Sequence, residues 1–293
     1  MLLATKKVST PLQVYARKST GFPSSQRIIS TLRDKTNVVM SASQMTLISF
    51  DVDGTLIHSV GENANKLHKD AFAEGFKRIF GLDTTIDVVK HHGSTDPLII
   101  IKVLEHHGIS KEEALSRIPD IQDVMINHFV EHSSKAAEGI EILPGVQKLL
   151  QELQATDRAM TCLVTGNLEP IGWSKMRSLG IQPLFSLPNF GGFSTDYCSG
   201  NTEESWRDRA EFVKIAAGKF QAQHPDLVLG KRFHVGDTPQ DILAALEGGA
   251  TAIGVATGIY TADELRAVAP RGDVIVLENL QDTSNVLKAF GLA

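Results

Sequence analysis

From Pro144 onward, short apolar runs alternate with amphipathic stretches of about ten residues. "AMTCLVT" (159–165), "KRFHVGD" (231–237), "TAIGVAT" (251–257) and "DVIVLE" (273–278) read as strands, and "FGGF" (190–193) as a short one. Between them, "EPIGWSKMRSLG", "RDRAEFVKIAAGKFQ", "TPQDILAALEGG" and "TADELRAVA" carry helical periodicity, as does "PGVQKLLQELQ" ahead of the first. Strands that alternate with helices in this way build βαβ units around a parallel sheet. One further strand, "TLISF" (46–50), stands far upstream of the rest.

The intervening residues are helical. Leu67, Ala71, Phe72, Phe76 and Ile79 fall at helical spacing, and "DPLIIIKVLEHHGI" repeats the pattern before Gly108. "SKEEALSRI" opens on a capping-box arrangement, Ser110 with Glu113, and "PDIQDVMINHFVEHSSKAA" completes the insert. The fold expected is α/β: a doubly wound parallel-sheet, Rossmann-like core over 47–58 and 141–293. An all-helical cap over 59–140 interrupts it, hinged over the sheet edge.

Residues 1–46 differ from this body. They hold seven basic residues against one acid, Asp34, and 13 serines and threonines. That leaves 22 basic and 33 acidic residues to 47–293, so a segment of formal charge +6 precedes a body of −11. A basic, hydroxyl-rich, acid-poor leader has the composition of an organelle transit peptide, for a plastid or, alternatively, a mitochondrion. A disordered basic tail is the plainer reading. The acidic body argues against a nucleic-acid partner. No apolar run approaches the roughly 18 residues of a membrane-spanning helix. Cys162 and Cys198 offer neither metal spacing nor a disulfide framework, which points to a reducing compartment.

Three of the strands end on polar residues: at Asp51 and Asp53, at Thr165, and at Gly236–Asp237. Ligands of open α/β sheets bind beyond the carboxyl ends of the strands. If the three are neighbours, Asp51, Asp53, Thr165 and Asp237 converge on one crevice. Three carboxylates there repel one another and call for a hard cation, for which magnesium suits an oxygen-only site. Singly, each has a plainer reading: an Asx turn before Gly54, or helix caps at Thr165–Asn167 and Asp237. Capping alone does not explain all three. In the insert, "HHGSTDP" (91–97) is a polar loop between helices whose Ser94 and Thr95 either contact substrate or cap the helix that follows. His58 stands close enough to the first motif to line the entrance.

"DVDGTL", "LVTGN" and "HVGDTPQD" resemble, in order and spacing, the signature motifs of the haloacid dehalogenase-like hydrolase superfamily. The likeness covers about 47–280, and the helical insert after the first motif is similar to the cap of its phosphoglycolate phosphatase-like members. The resemblance implies that Asp51 is a nucleophile forming an aspartyl-phosphate and Asp53 a general acid and base with a raised pKa. It implies magnesium held by Asp51, the backbone carbonyl of Asp53 and Asp237, with Asp241 in support. Thr165, Gly166 and Asn167 would bind the phosphoryl oxygens. The basic residue that such a site requires falls to Lys175 or, alternatively, to Arg209, since the usual Lys-Pro pair is absent. The expected activity is a phosphatase acting on a small phosphorylated metabolite, phosphoglycolate-like or a sugar phosphate. A phosphomutase is the alternative, and a catalytically quiet binding protein the last.

Overall fold

A computed structural model describes residues 44–269 and 272–293; all but the last three residues of the 1–46 leader lie outside the described residues. The chain runs β1 (Gln44–Phe50), β2 (Ile57–Ser59), α1 (Lys66–Phe80), α2 (Asp96–His106), α3 (Lys111–Glu131), β3 (Ile140–Ile142) and α4 (Val146–Ala155). There follow β4 (Ala159–Thr165), α5 (Glu169–Ser178), β5 (Gly191–Phe193), α6 (Ser205–Gln223), β6 (Val228–Gly236) and α7 (Pro239–Glu247). β7 (Thr251–Val255), α8 (Ala262–Val268), β8 (Val274–Leu277) and α9 (Thr283–Ala289) close it.

Six strands form one parallel sheet in the order β5-β4-β1-β6-β7-β8. Counted in chain order within the sheet this is 3-2-1-4-5-6, the doubly wound Rossmann-like arrangement. β1 is central, flanked by β4 and β6, and six of its seven residues are buried. Its alternate side chains enter the two layers on either face. Ile48 and Phe50 join α4, α5 and α9 through Leu149, Met176 and Val286. Met45 and Leu47 join α6 through Phe212 and Phe220. The strand begins at Gln44, three residues before the boundary read from the sequence.

The cap has its own core. Phe72, Phe76, Leu98, Ile101, Ile121, Met125 and Phe129 pack together from α1, α2 and α3, with Leu168 and Ile171 of the sheet domain closing one side. β2 and β3 pair antiparallel, so the outgoing and returning strands form a two-stranded ribbon at the base of the cap.

Two local expectations change. The sequence divides the third cap helix at Pro119, yet α3 runs through it. A proline there leaves the Leu115 carbonyl without its helical donor. Leu115 is exposed, so water can serve that carbonyl, while Ala114, Ile118, Ile121, Met125 and Phe129 hold the helix by one buried face. The capping box at its start is half made: Ser110 Oγ accepts from the Glu113 amide at 3.2 Å, and Glu113 does not return the bond. Complete boxes stand at α7, where Thr238 and Asp241 bond each other's backbone amides, and at α8, where Thr261 and Glu264 do the same.

Candidate active site

β1, β4 and β6 are adjacent, so their carboxyl ends bring Asp51, Thr165 and Asp237 to one place. Between sheet and cap lies a cavity of about 530 Å³ lined by Asp51, Asp53, Thr165, Gly166, Asn167, Arg209 and Asp237 from the sheet domain. Ser94, His58, His91 and Phe72 line it from the other side. Asp51 continues the sheet ladder, its amide donating to the Val235 carbonyl at 2.9 Å, so its position is fixed by the strand. Val52 turns into the core, and Asp53 returns to the cavity side with 36 % of its side-chain surface accessible. Gly54 has φ +90°, and a Cβ there would meet Asp237 Oδ2 at 2.3 Å. Only glycine lets the chain turn this close to that carboxylate.

Oxygens of Asp51, Asp237 and Asp241 lie within 4.8 Å of one another, and all three residues are buried. Burial, then the Asp241 and Asp51 carboxylates, pushes Asp237 well above the ordinary carboxylate range. Burial raises Asp51 to about 6 against the lowering effect of Arg209, with Asp241 and Asp53 adding to the rise. Asp241 moves the other way, to about 2: burial raises it, but Arg209 and His234 outweigh that. One guanidinium thus serves three carboxylates. The donor set is oxygen-only, buried and short of positive charge, which fits a hard divalent cation.

The segment that carries Arg209, Asp237 and Asp241 is similar to a known family. Residues 209–283 match a family model described as haloacid dehalogenase (HAD)-hydrolase-like. Over that stretch the chain is similar to the haloacid dehalogenase-like hydrolases. Its fold resembles that of a predicted phosphatase from Clostridium acetobutylicum (TM-score 0.53, 17% identity, 84% of this chain and 100% of that one). It resembles equally a predicted phosphoglycolate phosphatase from Haemophilus somnus 129pt (0.52, 16%, 83% and 98%). A β-phosphoglucomutase from Clostridium difficile is similar too (0.53, 15%, 85% and 97%). No curated protein matches the sequence.

The two basic candidates take different partners. Lys175, on α5, is fully buried and does not line the cavity. Its Nζ donates to Asp53 Oδ2 at 2.8 Å and Oδ1 at 2.9 Å, and to Asn167 Oδ1 at 2.9 Å. Arg209, at the start of the family match, is the cation on the cavity wall beside Asp51. Its Nη1 donates to Asp51 Oδ1 at 3.3 Å and also to Asp241 Oδ1. The lysine reaches back toward the crevice, as its stem length suggests, but ends on Asp53. The guanidinium stands beside Asp51.

The same contacts correct the expected pKa of Asp53. Burial raises it, yet the Lys175 ammonium, His68 and the hydrogen bonds from Lys175 and Asn167 together outweigh that, and Asp53 is held below the ordinary carboxylate value. Asn167 is likewise turned inward: its Nδ2 donates to Asp53 Oδ2 at 2.9 Å and Thr165 Oγ1 at 2.8 Å. Asp241 and Thr95 do not line the cavity. Asp241 spends Oδ2 on the Thr238 amide and hydroxyl and so stands behind the other two carboxylates. Thr95 is fully buried at the head of α2, whereas Ser94 reaches the cavity wall.

Gly166 is placed by close packing. A Cβ on it would lie 2.7 Å from the Ser94 carbonyl, and its own carbonyl accepts from the Asp96 amide at 2.8 Å. The "TGN" turn is therefore also where the cap rests. Sequence reasoning missed His68, Asp96, Thr257 and Gly258, all cavity-lining. A histidine at the centre of the apolar face Leu67–Phe72 was the available signal for the first.

Proposed function

We propose that this protein is a magnesium-dependent phosphatase that hydrolyses a small phosphorylated metabolite through an aspartyl-phosphate. The observation that carries the reading is the pairing of Asp51 and Asp53 on one cavity wall, Asp51 beside Arg209 and Asp53 beside Lys175. Dehalogenation needs no acid to protonate a leaving halide, and here the second carboxylate is both present and held in place by Lys175 and Asn167.

Asp51 Oδ attacks phosphorus while the bond to the ester oxygen breaks, and the leaving alkoxide takes a proton from Asp53, which has to acquire that proton with the bound ester because the free protein holds it ionised. Asp53, now ionised, removes a proton from the water that attacks the aspartyl-phosphate. That step releases phosphate and restores both carboxyls. Arg209 holds Asp51 and offsets charge gathering on the phosphoryl oxygens, near Thr165 and the Gly166 turn. Asp51, Asp237 and the Asp53 carbonyl would hold magnesium, with Asp241 behind them. When bound, it supplies the positive charge that three carboxylates and a phosphoryl group require.

The cap covers one side of the cavity, and its closure over a bound substrate would exclude water from the leaving group. Its walls combine Phe72, Ile86 and Ile99 with His91 and Ser94, a mixture suited to the carbon skeleton and hydroxyls of a phosphoglycolate-like or sugar ester. The composition of residues 1–46 supports import into a plastid, which we propose as the site of action.

A panel of phosphate esters incubated with magnesium tests the reading. Wild-type protein is expected to release phosphate and Asp51→Asn to release none above background; activity retained by the variant would overturn the mechanism. Conversion of a sugar phosphate to its isomer without free phosphate would identify a phosphomutase instead.

A further inference from the structure

Two polar residues at the cap–core junction have no part in the chemistry above. His68 lies on the buried face of α1, and Asp96 in the first turn of α2; they are 6 % and 4 % exposed. His68 Nε2 stands 3.1 Å from Asp96 Oδ2. The ring stacks on Phe72 at 5.1 Å and meets Phe129 edge-on. In so apolar a pocket an aliphatic side chain would serve packing as well, and burying polar groups costs free energy unless they are bonded. Both are bonded, and in each case into the sheet domain. Asp96 Oδ2 also accepts from the Leu168 amide at 3.0 Å, and His68 Nδ1 lies 3.3 Å from Lys175 Nζ.

The donors decide the direction of these bonds. An ammonium has three hydrogens and no lone pair. Lys175 Nζ faces the Asp53 carboxylate, Asn167 Oδ1 and His68 Nδ1, so His68 Nδ1 accepts. The ring hydrogen then sits on Nε2, which donates to Asp96. One continuous row of polar contacts therefore runs from Asp96 through His68 and Lys175 to Asp53. Its first two members belong to the cap and its last two to the sheet domain.

We propose that His68 and Asp96 are positioning residues that, through Lys175, orient the Asp53 carboxyl, so that the acid is set in place only while the cap is seated. The proposal rests on the phosphatase reading. Lys175 has a flexible four-carbon stem, and its tip is held by acceptors from both domains. Lifting the cap carries His68 and Asp96 away on α1 and α2. Lys175 then loses one of its acceptors, and the grip on Asp53 loosens. Bonds to the partner of a reacting group fix its geometry in the way outer ligands fix a metal site.

A leaving-group comparison tests this. An alkyl phosphate expels an alkoxide and needs the Asp53 proton, whereas p-nitrophenyl phosphate expels a stable anion and does not. His68→Phe keeps the ring packing and removes both polar contacts. We expect it to lower kcat on glycerol 2-phosphate by about 100-fold, the low end of what general acid catalysis supplies. On p-nitrophenyl phosphate the loss is far smaller, so the ratio of the two kcat values moves. His68→Asn, which returns an acceptor toward Lys175, should recover part of that ratio. If His68→Phe does not fold, His68→Leu, which likewise removes both polar contacts, gives the same reading. Equal losses on both esters would overturn the positioning role alone. A wild-type protein that hydrolyses neither ester overturns the phosphatase reading, and this proposal with it.

Discussion

Asp51 and Asp237 are carboxylates whose folded environment opposes their charge. For Asp51 the folded pKa, about 6, lies above the ordinary value of 3.8 because of burial first, with Asp241 and Asp53 adding to it. A carboxyl raised in this way contributes stability that is complete below its unfolded pKa and lost as pH rises through the folded one. The metal-free protein should therefore lose stability between about pH 4 and pH 6 on account of Asp51. Asp237, raised as well, acts in the same direction. A divalent cation relieves both. The rise in melting temperature caused by 5 mM magnesium chloride, a concentration of about the order that weak oxygen sites need, is expected to be larger at pH 7.5 than at pH 5. An equal rise at the two pH values would count against a cation bound by these carboxylates.

The sequence showed these residues because each ends a strand, and strand ends are visible as apolar runs meeting charge. It did not show which cation faces which carboxylate. Lys175 and Asp53 are 122 positions apart, and Arg209 and Asp51 are 158 apart. Such pairings follow from the order in which strands assemble, so the sign of the Asp53 shift could not be read from its neighbours in the chain.

At the scale of the elements, alternating strands and helices were legible because period and composition change at each junction, as at Thr165 and Gly236. Pro119 misled for a physical reason: local propensity opposes a helix there, and the buried face of α3 against α1 overrides it. How the cap seats on the sheet domain was invisible. It depends on Gly166, whose absent side chain lets the Ser94 carbonyl approach, and on α2, whose first amide bonds Gly166 O. Gly166→Ala should force the head of α2 away. Overpacking of this kind costs about 1–3 kcal/mol, and urea unfolding with intrinsic fluorescence from Trp173, buried on α5, would measure it. A stability within experimental error of wild type would show that the cap yields freely at this point.

For the whole molecule, the central place of β1 sets what the leader can be. β1 is the first strand among the described residues and lies in the middle of the sheet, paired with β4 on one side and β6 on the other. It also delivers Asp51. A processing event that removed any of Gln44–Phe50 would take away the strand on which both halves of the sheet form, along with packing from Ile48 and Phe50 that are fully buried. Each such side chain contributes about 1.5–3 kcal/mol on burial, and a domain's entire stability is only about 5–15 kcal/mol. If residues 1–46 contain an import signal, its cleavage must fall before this strand. Mass spectrometry of the mature protein is therefore expected to find its first residue at or before Gln44. Protein begun at Ala42 should retain magnesium-dependent hydrolysis, whereas protein begun at Asp51, with the proposed nucleophile present but β1 absent, should fail to fold by circular dichroism. Folding of the shorter chain would mean that the sheet can close between β4 and β6 without its central strand, and that Asp51 is not held by the ladder described above.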